Sequence, residues 1–154
     1  MEQPNQKLND SIIYHYLSLL DLPKNTIILH NAAWRTLLID NENRFVETNI
    51  YLTINASDHW SFIFVDTMKK TWTPFDSFFG TIEYEPYQKI LENFFGKLVY
   101  KKAECLTQND GVSCGLYLLY MLECHLKNEK FSKRFSPRKY RKEIFEILTQ
   151  ELNK

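Results

Sequence analysis

Cys114 closes the string QNDGVSC that begins at Gln108, and Gly115 and the apolar run LYLLYMLECHL follow at once. The run predicts a buried helix, which places the thiol at its first turn. Unpaired N–H groups and the positive end of the helix dipole favour thiolate over thiol there. The same N–H groups, with the side-chain amide of Gln108, can bind the oxyanion that forms when a thiolate adds to a carbonyl. Upstream stand His59, in DHW, and Asp76, in FDS. A nucleophile, a base and a group that orients the base are the parts of a cysteine hydrolase.

These groups meet only if the chain between them folds back. His59 to Asp66 (HWSFIFVD) and Thr71 to Asp76 are β-rich runs around the turn Thr67-Met68-Lys69-Lys70, which predicts a hairpin. Pairing Asp66 with Thr71 sets Asp76 opposite Ser61, on the face that carries His59. The two side chains are then diagonal neighbours, about 7–8 Å apart at the backbone. Asp66 falls on the other face, roughly 23 Å along the strand from His59, so the register selects Asp76. Pro74 is the weak point, where a bulge or an edge would arise, and a one-residue slip would reverse the facing. His125 lies on the helix of Cys114, about 16 Å away by helical rise. It reads with His15 and His30 as an ordinary structural histidine. Cys105 reads as inert and Cys124 as a core residue.

Around the hairpin the remaining elements follow from spacing. Asn9-Asp10-Ser11 offers an N-cap to a helix that stops before Pro23. Thr26 to Leu29 reads as a short strand, Asn31 to Leu38 as a short amphipathic helix and Asn49 to Asn55 as a strand. Glu83 to Phe95 reads as a helix closed by Gly96, Lys97 to Ala103 as a strand and Val112 to Leu126 as the buried helix. Ser136-Pro137 caps a last helix striped by Tyr140, Ile144, Leu148 and Leu152. Helices, a meandering sheet and helices again predict an α+β fold with an antiparallel core.

The chain has 154 residues, 44% hydrophobic and 15% aromatic with only four glycines, which predicts one packed domain over 1–154 and excludes low complexity. Zero formal net charge offers no global field for nucleic acid or a membrane surface, so neither is expected as a partner. Three cysteines without metal-type spacing fit a reducing compartment and no metal site. The opening MEQPNQKLND has no secretory pattern, and no apolar run approaches the roughly 20 residues of a membrane span. The stretch Lys127–Lys142 holds eight Lys or Arg against one Glu. A solvated helix face and loop is its simplest reading, a docking surface for an acidic partner or nucleic acid the second.

HW, an FDS aspartate 17 residues beyond His59, and Q-x5-C-G together resemble the Ulp/SENP family of ubiquitin-like-protein proteases. LNDSIIYHYLSLL resembles that family's WLND-x-x-I segment, and SPRKYRKEIFEIL matches its last helix in position and character. The resemblance implies a papain-like α+β peptidase with a central, mostly antiparallel sheet flanked by helices. It makes Cys114 the nucleophile, His59 the base and acid, Asp76 the orienter, and Gln108 with the Cys114 N–H the oxyanion hole. Trp60 becomes the roof of a channel for a Gly-Gly tail, and Asp10 part of the modifier-binding surface. The implied substrate is a SUMO- or Nedd-type modifier and its conjugates. The compact size resembles the deneddylase branch, and the implied enzyme is a monomer without cofactor in the cytoplasm or nucleus. Two positions depart from the pattern. Lys7 replaces a tryptophan that walls the channel, with Trp34 as a candidate substitute, and Ser113 replaces the acid before the cysteine, also at the substrate side. A deubiquitinase, an acetyltransferase effector using the same triad and a non-catalytic modifier-binding module are the rival readings.

Overall fold

The computed structural model describes residues 6–31, 33–40 and 45–154. Expectations for the first five residues and for position 32 lie outside it. Along the chain run α1 (Asp10–Ser18), β1 (Thr26–Leu29), α2 (Ala33–Asp40), β2 (Asn49–Ala56), β3 (His59–Asp66), β4 (Thr71–Phe75), α3 (Glu85–Phe95), β5 (Val99–Tyr100), α4 (Cys114–Leu126) and α5 (Pro137–Leu152). The fold is α+β. The strands form one sheet in sequence order. Its inner ladders, β2–β3 and β3–β4, are antiparallel. Its outer pairings, β1–β2 and β4–β5, are parallel and shorter.

Alternation along the central strands sorts side chains into two cores. Tyr51, Trp60, Phe62 and Phe75 join α1, α4 and α5 in one. Ile50, Leu52, Ile54, Ile63 and Val65 join α2 and α3 in the other. With both faces covered, β2 and β3 read as nearly continuous apolar runs. Trp34 is fully buried in the second core and donates from Nε1 to the Thr53 carbonyl at 2.8 Å. It is spent on the α2/α3 layer, away from α1 and α4, and does not replace the missing channel tryptophan.

The hairpin has the register read from sequence. Asp66 pairs with Thr71 and Phe62 with Phe75. Pro74 opposes Ile63 without a bulge, and its effect falls on the other edge instead. Val99 N–H bonds the Lys70 carbonyl and Lys101 N–H the Trp72 carbonyl, at 2.8 and 2.9 Å. The next bond of this slanted parallel ladder would run from residue 74 to the Lys101 carbonyl, and proline has no N–H to give. The strand expected over Lys97 to Ala103 therefore shrinks to Val99–Tyr100, and residues 101–113 form an irregular strap across the sheet.

Two local devices bring the site together. Ser57 and Asp58 both adopt left-handed backbone, φ 53° and 57°, giving the two-residue turn that starts β3 at His59. Each costs roughly 1 kcal/mol in a residue with a Cβ, and Lys7 Nζ holds the turn by bonds to the Asp58 carbonyl at 2.6 Å and carboxylate at 2.9 Å. At the other end, a Cβ on Gly115 would stand 3.1 Å from Ile13 Cδ1 and 3.4 Å from Leu8 Cβ. The glycine after Cys114 thus lets α1 lie directly on the first turn of α4. Glu123 secures the same helices from below, accepting from Tyr16 Oη at 2.5 Å and Tyr140 Oη at 3.1 Å.

Candidate active site

Asp76 follows the last residue of β4, and its carboxylate is completely buried. Oδ1 accepts from His59 Nε2 at 2.6 Å and from the Phe78 N–H at 2.8 Å. Oδ2 accepts from Tyr84 Oη at 2.6 Å, and that hydroxyl lies 2.9 Å from Ser61 Oγ. With Nε2 taken by Asp76, the imidazole has Nδ1 left for the hydrogen bond it shares with Cys114. Burial alone would lower the His59 pKa, but the bonds and charges of Asp76 and Cys114 carry it up to about 9. Burial alone would raise the Cys114 thiol. The bond to His59, a backbone bond from Trp60 and the positive charges of His59 and Lys7 outweigh burial and hold it below the ordinary thiol range. The arrangement is that of a thiolate–imidazolium pair at the N-terminus of a 13-residue helix.

Gln108 is held at three points on the strap. Its N–H bonds the Ser77 carbonyl at 2.9 Å, its Oε1 accepts from Ser77 Oγ at 2.5 Å, and its Nε2 donates to the Asp110 carbonyl at 2.6 Å. One amide hydrogen is left over. Ser77 adjoins Asp76, so one two-residue corner fixes both the carboxylate on His59 and the side-chain amide of Gln108. Ser77, Tyr84 and Asp110 escaped the sequence reading. Only Ser77 left a local signal, as the serine of FDS; the other two meet their partners through the tertiary fold.

The other candidates separate clearly. Asp66 bonds the N–H groups of Met68 and Lys69, both at 3.0 Å, and serves the hairpin turn. His125 is bonded to Tyr51, and burial, with the charge of Lys101, lowers its pKa. His30 stacks on Tyr14, and His15 is exposed. Burial raises the thiols of Cys105 and Cys124. Trp60 is buried in the core that holds Cys114, edge-on to Tyr14. Asp10 is exposed at the start of α1, where Asn9 supplies the cap. Ser113 is turned inward, its hydroxyl donating to Asp110 Oδ2 at 2.8 Å. Within the basic stretch, Lys127 pairs with Glu123 and Arg141 is buried, donating to the Gln6 carbonyl at 2.6 Å. The other Lys and Arg side chains there are exposed. No metal-type cluster occurs among the described residues, and none of their helices is long and apolar enough to cross a membrane.

Fold and constellation together are those of a cysteine peptidase. A family model described as the Ulp1 protease family, C-terminal catalytic domain, matches residues 10–153, and the chain belongs to that family. No curated protein matches it in sequence. Among solved structures, the C-terminal Ulp1 protease domain in complex with Smt3, the yeast ortholog of SUMO, is 20% identical over 95% of this chain and 78% of its own, with a TM-score of 0.74. The Chaetomium thermophilum Ulp1-like SUMO protease catalytic domain is 14% identical over 92% and 72%, with a TM-score of 0.65. The Xanthomonas campestris effector XopD bound to ubiquitin is 15% identical over 92% and 91%, with a TM-score of 0.60. At these identities the likeness is one of fold.

Proposed function

We propose that this peptidase cleaves after the C-terminal glycine of a ubiquitin-like modifier, acting on conjugates, precursors or both, with Cys114, His59, Asp76 and Gln108 as its catalytic residues. The reading is carried by the 2.6 Å His59–Asp76 bond in an imidazole that also bonds the thiol at the start of α4. Cys114 attacks the glycine carbonyl, and the oxyanion is received by the spare Gln108 amide hydrogen and the Cys114 N–H. Imidazolium His59 passes its proton to the leaving amine and later draws one from the water that hydrolyses the thioester. SUMO- and Nedd-type modifiers are the leading substrate classes, and ubiquitin is the rival. Asp10 and Trp60 belong to the modifier side. A panel of modifier C-terminal electrophiles tests the assignment: labelling of Cys114 by one SUMO- or Nedd-type member supports it. Labelling by none of them, or acetyl-CoA-dependent autoacetylation, contradicts it.

The pH profile carries the signature of the ion pair. Activity needs Cys114 deprotonated and His59 protonated. It rises with pH through the depressed thiol titration and falls as His59 loses its proton near pH 9. Both limbs belong to the coupled pair. A kcat/KM profile still rising above pH 9 contradicts the pairing.

Gln108→Ala removes one oxyanion donor and lowers kcat by about 10²–10³ with little change in KM, since the bond matures only in the transition state. A change confined to KM makes Gln108 a binding residue instead.

Trp60 is read as the roof of the glycine channel. Trp60→Ala costs about 3–5 kcal/mol of stability through its buried ring and strongly impairs cleavage. Trp60→Phe keeps most of the packing and relaxes the preference for glycine at the modifier's terminus. Lys7→Trp narrows the slot and loses a partly exposed ion pair worth at most about 1 kcal/mol, so it is tolerated. Melting curves beside cleavage of Gly→Ala modifier tails separate the roles; unchanged glycine selectivity in folded Trp60→Phe contradicts the channel.

A further inference from the structure

Asp110 lies between the two halves of the proposed oxyanion hole, its carbonyl bonded to the Gln108 amide and its carboxylate to the backbone just ahead of Cys114. Its Oδ1 accepts from the N–H groups of Val112 at 2.8 Å and Ser113 at 2.7 Å, and its Oδ2 from Ser113 Oγ. Ser113, the N-cap residue of α4, makes no side-chain cap bond of its own. The carboxylate three residues upstream instead ties down the loop just ahead of the helix, through the N–H groups of Val112 and Ser113. At the same time the Asp110 carbonyl receives Gln108 Nε2 at 2.6 Å. That carbonyl is the acceptor which a continued helical pattern would have assigned to the Cys114 N–H. Cys114 is the first residue of α4, so its N–H is one of the donors that a helix start leaves without an intrahelical partner. One residue thus holds the Gln108 amide and the two backbone N–H groups that precede the nucleophile.

The carboxylate is built to stay ionised in this place. Burial would raise its pKa, but the bonds from Val112 and Ser113 and the charge of buried Arg141 outweigh that and hold it below the usual range. Arg141 also donates to the Gln6 carbonyl, so the counter-charge comes from the residue that ties α5 to the segment ahead of α1. Position 113 remains tied to a negative charge although it carries none itself.

We propose that Asp110 is the positioning residue of the oxyanion hole, setting the Gln108 amide and the Cys114 N–H at the distance and angle that the developing oxyanion requires. The inference rests on the roles given above to Gln108 and Cys114. It separates two reactivities of one thiol. Alkylation by iodoacetamide forms no oxyanion, whereas peptide or ester cleavage does.

The experiment compares Asp110→Ala, Asp110→Asn and Asp110→Glu in the whole chain, each checked by thermal melting. Cleavage is followed with a C-terminal amide substrate of the modifier that labels best in the electrophile panel, and thiol reactivity with iodoacetamide. Asp110→Ala is expected to lower kcat at unchanged KM by up to about 10²-fold, the lower end of what loss of an oxyanion donor itself costs, while iodoacetamide alkylates Cys114 at the wild-type rate. Asp110→Asn keeps the acceptor for both N–H groups and restores most of kcat. Asp110→Glu keeps the charge but moves it by a methylene, and fails like alanine; it decides the matter if the alanine variant does not fold. Wild-type kcat in Asp110→Ala or in Asp110→Glu overturns the proposal. So does a loss of alkylation in step with kcat, which would place the effect on the nucleophile. Failure of the underlying reading looks different, since wild-type enzyme would then hydrolyse its substrate after complete alkylation of Cys114.

Discussion

Replacing Cys114 by alanine is expected to leave no measurable hydrolysis and no labelling by a modifier electrophile, while the protein stays folded and still binds its modifier. The reaction needs a covalent thioester, and only this thiol has a bonded imidazole, a helix N-terminus behind it and a pKa held down by its surroundings. Cys105 and Cys124 have thiols raised by burial, so serine or alanine there changes stability and leaves the chemistry intact. A second readout comes from His59. Part of its elevation to about 9 is due to the bond and charge of Cys114, so its titration moves down in the alanine variant. Histidine NMR titration of both proteins records the shift. Hydrolysis that survives in Cys114→Ala, or an unmoved His59, sinks the catalytic pair.

Asp76→Asn is expected to lower kcat by about 10⁴, the loss found when the orienting carboxylate of a hydrolase triad becomes an amide and the wrong imidazole tautomer results. The carboxylate here accepts from His59, the Phe78 N–H and the Tyr84 hydroxyl. Asp76→Ala would also strand those buried donors at about 1–3 kcal/mol apiece, which is why asparagine is the cleaner variant. The His59 pKa falls with either change, because the Asp76 bond is the largest influence raising it. Asp66→Ala is the matched control. It loses two turn bonds at 3.0 Å and with them about 1 kcal/mol of stability, and kcat is unaffected. Measuring kcat for both distinguishes the aspartates, and a sensitive Asp66 with an indifferent Asp76 contradicts the triad.

Sequence alone determined what depends on near neighbours. Period-2 alternation around a four-residue turn set the β3–β4 register, and with it the choice of Asp76 over Asp66, because a strand's facing is decided residue by residue. Asn9 and Ser136 marked helix starts where their side chains accept from Ile12 and Lys139 N–H groups. The thiol's place at a helix N-terminus followed from the apolar run after Gly115. Tertiary structure decided the rest. The strand expected over Lys97 to Ala103 ends at Tyr100 because the missing N–H of Pro74 lies across the sheet, a constraint that no window around residue 100 contains. Trp34 is claimed by the Thr53 carbonyl in the α2/α3 layer, although composition alone made it as good a channel wall as any indole. The bonds of Tyr84 to Asp76, Ser77 to Gln108 and Arg141 to Gln6 join residues 8, 31 and 135 positions apart. Such bonds leave no periodicity behind, since a hydrogen bond needs only two atoms brought to one point, and it is the packing of whole helices and strands that brings them there.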